Sequence, residues 1–264
     1  MYQFPTFFVS HGGGPWPWMS EFGHAYDELA ASLTAIPGML EETPKALLVV
    51  TGHWESQMFK ISSAAQPGMI YDYYGFPDYT YQIQYPAPGA PDLAAQIQQL
   101  LADAKIEASL DPKRGLDHGT FTPLQVMYPQ ANIPVVQLSL RSDLDPEIHY
   151  QVGKALRSLR QQGVLIIGSG LSYHNLRRFD VSAREPSRQF DDWLNQTLAL
   201  PEKPRHLALA HWEFAPSARI AHPREEHLLP LWVALGAASD GKMTNVYRQH
   251  DLFGGISSSS FRFD

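Results

Sequence analysis

Residues 46–55 read ALLVVTGHWE, and residues 6–15 read TFFVSHGGGP. Each is a short apolar run that stops at a histidine beside glycine. A run that is apolar at every position suits a strand buried on both faces, as in the sheets of α/β proteins. His11 and His53 stand 42 residues apart, the length of a strand–helix–strand unit. Neighbouring parallel strands would set the two rings side by side at the carboxyl edge of the sheet, where open α/β sheets bind their ligands. Three glycines after His11 let a ligand approach the backbone closely. Imidazole is the commonest metal ligand, so His11 and His53 are read as the anchor ligands of a mononuclear metal site.

Working outward, the same grammar continues. Buried strands are predicted at 134–140 (PVVQLSL) and 164–169 (VLIIGS), with a short strand at 106–110. Apolar spacing predicts helices at 21–33, 92–104, 146–161 and 187–198, and another at 225–236 with Pro230 inside it. Residues 61–91, rich in Tyr, Pro and Gly, read as a long loop with short strands. A loop follows at 111–122, then one helical turn at 123–127. Residues 206–211 fit neither pattern, and 257–263 alternate as a strand does. The expected fold is α/β: a single domain over 1–264, with a central, mostly parallel or mixed sheet and helices on both faces.

Composition narrows the function. Formal net charge is −7, with 27 acidic against 20 basic residues, which argues against a nucleic-acid surface. There is no cysteine, so disulfides and thiolate metal sites are excluded. No apolar run approaches the ~20 residues needed to cross a bilayer. The N-terminus lacks the positive region of a signal peptide, and a cytoplasmic location is expected. There are 11 histidines, and position must sort them.

His118 sits between Asp117 and Gly119 in a predicted loop, available for acid–base work. His174 follows the strand at 164–169 in GSGLSYHNL and is placed like a third strand-end group. Glu226 and His227 fall in the first turn of the helix predicted at 225–236, a rigid place for a ligand, while His222 precedes a proline. His24, His149, His206, His211 and His250 lack such context and are assigned to surface or core. Two histidines plus a carboxylate or third histidine is the pattern of non-haem Fe(II) oxygenases, and three ligands plus water is that of catalytic zinc. Residue type alone leaves both metals open. A serine hydrolase is a weaker reading: Gly168-Ser169-Gly170 is part of a nucleophile elbow, but G-x-S-x-G is absent. There is no P-loop and no dinucleotide fingerprint.

Seven short motifs occur in register: SHGGGP at 10–15, GHWE at 52–55, YPAPG at 85–89, LDHG at 116–119, PVVQLS at 134–139, HNL at 174–176 and EHLLP at 226–230. Their order and spacing over nearly the whole chain resemble the 4,5-DOPA extradiol dioxygenase-like family. That family belongs to the class III extradiol ring-cleavage dioxygenases, the superfamily of the protocatechuate 4,5-dioxygenase catalytic subunit. The resemblance implies a mononuclear non-haem metal on His11, His53 and His227, with Glu226 as the alternative third ligand seen in distant members. It implies Fe(II) as cofactor, Zn(II) being possible as a bound but redox-inert ion. A DOPA-like catechol and O2 are the implied substrates. His174 is placed near the metal, either as a ligand or as the acid–base group, and is chosen as general base. His118 is to contact the substrate, orienting it or donating a proton. Two alternatives share the same residues: a zinc-dependent hydrolase, and a non-catalytic metal-binding interaction protein. Trp16 and Trp18, after an unusual third glycine, are expected to reshape the pocket mouth.

Overall fold

A computed structural model describes residues 2–238 and 242–264. Its eight strands form one mixed sheet. They are β1 (Thr6–Ser10), β2 (Ala46–Ser56), β3 (Phe59–Ser62), β4 (Ala108–Asp111), β5 (Val135–Arg141), β6 (Val164–Gly170), β7 (Met243–Leu252) and β8 (Ile256–Phe263). The order across the sheet is β4-β3-β5-β2-β6-β1-β8-β7. The four central strands, β5, β2, β6 and β1, run parallel. β8 pairs antiparallel with β1 and with β7 on one side, and β3 pairs antiparallel with β5 on the other.

The apolar runs at 6–10, 46–50, 135–140 and 164–167 are these central strands, and nearly all of their side chains are buried. β6 lies between β1 and β2, so the strands carrying His11 and His53 are not neighbours as their spacing suggested; both flank β6. β2 also runs on through Gly52-His53 to Ser56, and its register against β5 shifts between Val50 and Glu55. His53 therefore sits within a bulged strand rather than beyond its end, and such a bulge re-aims side chains. β7 was not foreseen. It is an edge strand whose outer positions are exposed and polar, so no apolar run announces it.

The helices are α1 (Asp27–Ala35), α2 (Pro91–Asp103), α3 (His118–Met127), α4 (Pro146–Leu156), α5 (Arg184–Leu198), α6 (Glu202–Ala210), α7 (Ala218–Ala221) and α8 (Pro230–Ala238). α3 and α8 cover opposite faces. Successive strand residues point to opposite faces; a Cβ at Gly168 would overlap the Pro230 carbonyl of α8, whereas Ser169 donates to the Gly119 carbonyl of α3. α8 is buried along its whole length, and α4 crosses it where Gly153 and Gly236 meet. Among the described residues no helix is long and apolar enough to cross a membrane.

Three helix readings need correcting. α1 begins at Asp27, not residue 21, because Ser20–Phe22 is a separate 3-10 turn and Gly23 has φ 54°. The predicted loop at 111–122 contains the start of α3: Asp117 is its N-cap, its carboxylate accepting from the Thr120 N–H. α8 starts at Pro230, as its first residue, rather than at Glu225. A proline suits the first turn, where no N–H partner is needed, so Glu226 and His227 lie in the turn before the helix. Residues 202–210, left ambiguous in part, are the helix α6.

Candidate metal centre

The structure brings His11, His53, His118, His174 and His227 into one pocket. His11 follows β1 directly, its N–H bonded to the Gly170 carbonyl. His53 comes from the bulge in β2, His118 from the first turn of α3. The segment carrying Glu226 and His227 is laid across the ends of β2 and β6: a Cβ on Gly52 would crowd it, and one on Gly170 would overlap the His227 carbonyl. Gly168 and Gly170 thus clear space for this crossing chain. Ser169 between them is no nucleophile. Pro123 of α3 has no N–H to give the Gly119 carbonyl, and the buried Ser169 hydroxyl donates to it instead.

Every ring spends its Nδ1 on an acceptor. His11 Nδ1 donates to the Gly12 carbonyl at 2.7 Å. Asp72 accepts from His118 Nδ1 at 2.6 Å through one oxygen and from His53 Nδ1 at 3.0 Å through the other. Glu226 Oε1 accepts from His174 Nδ1 at 2.9 Å and from His227 Nδ1 at 3.0 Å. The tautomers follow: Nδ1 carries the proton and Nε2 is left bare. Metal-binding histidines are oriented in this way by carboxylates and backbone carbonyls.

The bare nitrogens converge. His53 Nε2 and His227 Nε2 face each other at 3.1 Å with no proton to share. His11 Nε2 is buried and has no hydrogen-bond partner. Two lone pairs in contact and a third buried without a donor are unfavourable unless a cation joins them, and the histidine set fits a metal. Two triads have donor atoms within 4.8 Å of one another: His11–His53–His118 and His174–Glu226–His227. The 3.1 Å approach of His53 to His227 joins the two groups.

Electrostatics agree with neutral ligands. Burial, then the neighbouring His53 and His118, pushes the His11 pKa well down; burial and the rings of His174 and His53 do the same to His227. His118 is lowered too, by burial first. For Asp72 burial acts upward, but the bonds to His118 and His53 together outweigh it and keep the carboxyl ionised. Glu226 is likewise lowered, its bond and charge interaction with His174 overcoming burial.

Asp72 was missed in the sequence because it sits in the irregular Tyr-rich stretch 61–91, with no strand or glycine signature beside it. Trp16 does not reach the pocket mouth. It is buried, its indole N–H donates to the His11 carbonyl at 2.8 Å, and it fills the space a Cβ on Gly12 would need. Trp18 packs against Phe121. The cavity above the histidines measures about 510 Å³. His222 is buried nearby, donating to the Ser172 carbonyl and packed on Phe190.

Residues 7–263 match the family described as the catalytic LigB subunit of aromatic ring-opening dioxygenase. The chain is 38% identical to the 4,5-DOPA dioxygenase extradiol of Beta vulgaris over 98% of this chain and 96% of that protein. It is 32% identical to the 4,5-DOPA dioxygenase extradiol of Escherichia coli K12, over 89% of this chain and 85% of that one. A crystal structure of an uncharacterised Escherichia coli K12 protein is similar with a TM-score of 0.79 at 28% identity, covering 99% of this chain and 100% of that one. With fold, motif order and relatives in accord, the chain belongs to the LigB family of aromatic ring-opening dioxygenases.

Proposed function

We propose that the protein is an extradiol dioxygenase that opens a catechol-type ring with O2 at a mononuclear non-haem metal held by His11, His53 and His227. The bare Nε2 atoms of His53 and His227, 3.1 Å apart, and the buried, unpartnered Nε2 of His11, whose ring centroid lies 4.9 and 5.2 Å from theirs, carry the reading. Fe(II) there would supply a Lewis acid for the diol and the redox chemistry with O2 that zinc lacks. His118 is a rival third ligand, since its donor atom also lies within 4.8 Å of those of His11 and His53. His227 is preferred for its 3.1 Å approach to His53.

The remaining residues handle substrate and protons. His174 stacks on His227, ring centroids 3.5 Å apart. Its Nδ1–H is fixed by Glu226, which leaves Nε2 to take the proton of a catechol hydroxyl as general base. The Glu226 carboxylate then stabilises the imidazolium. His118, kept neutral with its proton facing Asp72, presents an acceptor that orients the second hydroxyl. Expulsion of water falls to the aromatic walls of the cavity.

The test is anaerobic reconstitution with Fe(II), then O2 uptake over a set of substituted catechols. Ring-opened product formed with stoichiometric O2 is expected from Fe(II) enzyme and none from Zn(II) enzyme. Turnover with zinc and without O2 would identify the hydrolase instead. Metal retention separates the ligands: His11→Ala, His53→Ala and His227→Ala are expected to lose bound metal, and His118→Ala to keep most of it. Loss in His118→Ala with retention in His227→Ala would exchange their roles.

A further inference from the structure

We propose, on the reading that the site holds a catechol, that its substrate carries a neutral, apolar substituent, alkyl or aryl, seated against Phe22, Leu176, Phe179 and Phe253. The names of the relatives put DOPA first among catechols to try, but the wall of this cavity is built for different chemistry. Beyond the histidines and Asp72 it is almost wholly aromatic and aliphatic, and among the described residues no Lys or Arg lines it. Arg177 and Arg178, beside Leu176, are exposed and outside the lining. Of the wall tyrosines, Tyr73 donates to the Thr80 carbonyl at 2.6 Å, Tyr26 accepts the Gly13 backbone N–H, and Tyr74 is exposed to solvent; none carries a positive charge. A substrate carboxylate on this wall would meet no cation, and Asp72 supplies the same sign of charge. Leaving it unpaired against apolar groups is costly.

Size points the same way. At about 510 Å³ the cavity falls within the range that encloses drug-sized ligands, more than a bare dihydroxybenzene fills. The backbone adds an independent sign. Phe253, in the turn between β7 and β8, has φ 50° although Gly254 and Gly255 follow it. A bulky residue in the left-handed region is strained, and such strain persists where the surroundings enforce it. Here it holds the ring in the wall, against Phe22, Tyr26 and Phe179 at centroid distances of 6.1, 5.4 and 5.3 Å.

The experiment compares kcat/KM of the Fe(II) enzyme for 4-methyl-, 4-ethyl- and 4-butylcatechol with that for DOPA and 3,4-dihydroxyphenylacetate. Anaerobic calorimetric titration of the same compounds gives Kd without turnover. Both measures should improve along the alkyl series by up to about fourfold per added methylene, and the carboxylated compounds should fall at least about tenfold below butylcatechol. Carboxylated catechols matching or exceeding the alkyl series in either measure would overturn the proposal. Two variants test the wall. Phe253→Asn, which tolerates the same backbone, should cut the preference for butylcatechol over 3,4-dihydroxyphenylacetate about tenfold. Leu176→Arg should lower it comparably by adding the missing cation; an unchanged ratio in both variants contradicts the assignment. Absence of turnover with every catechol would defeat the ring-cleavage reading, while the order of Kd values still decides the substituent.

Discussion

Asp72 shows what the site asks of a single side chain. One carboxylate fixes two imidazoles, one through each oxygen, and so sets the tautomer of the proposed metal ligand His53 and of the proposed substrate-facing ring of His118 together. Asp72→Asn keeps the shape but offers one acceptor in place of two. It is expected to weaken metal affinity about 10–100-fold, as loss of a ligand-orienting partner does, measured by chelator competition. Unchanged affinity would show that His53 needs no such support. At this scale the sequence was partly legible. His11, His53, His118 and His174 were recognisable by their glycine or strand-end context, and His227 by a helix entry that the structure moves to the turn before α8; all five meet in the pocket. Asp72 was not, because a carboxylate that works through other residues carries no local mark.

Elements explain which parts of the sequence misled. His118 looked like a loop residue because Pro123 lies within the ten residues of α3 and Gly119 precedes it by four. Proline costs a helix the bond to the residue four earlier. Here the structure meets that cost from outside, through Ser169 of β6. Tertiary contact thus permits a helix that local propensity opposes. Ser169→Ala is expected to destabilise the fold by about 1–3 kcal/mol, the usual consequence of a buried acceptor losing its donor, as read by urea unfolding. Metal content should stay intact. A loss of turnover with no loss of stability would instead revive a chemical role for this hydroxyl. Pro230 misled in the other sense: it reads as a break inside a helix and is the residue that begins one.

For the molecule as a whole, the parallel centre of the sheet was legible in its continuous apolar runs, and the edges were not. β7 reads as polar because one side of it faces water. Overall stability should carry a pH signature remote from the candidate metal centre. His149 is buried, accepts the Arg141 N–H on Nε2 and donates from Nδ1 to the Asp145 carbonyl. Burial lowers its pKa from 6.5 to about 4. Above pH 6.5 neither folded nor unfolded chain protonates this ring. As pH falls through 6.5 the unfolded chain gains a proton that the folded chain refuses, and stability declines until the folded ring protonates near 4. The span is worth about 3 kcal/mol. In His149→Gln the loss of unfolding free energy between pH 7 and pH 4 should shrink by about that amount; the other histidines that burial lowers, among them His222 at about 3, sustain the rest. An equal loss in both proteins would remove His149 from the account. The chain order of the site has one more consequence, a temporal one. His11 directly follows β1, yet Ser10 bonds to Ser260 and His227 arrives some two hundred residues later. A nascent chain on the ribosome exposes His11 and His53 long before Glu226 and His227 exist. The centre therefore cannot be assembled before His227 has been made, and the proposed ligand set cannot hold a metal ion until then.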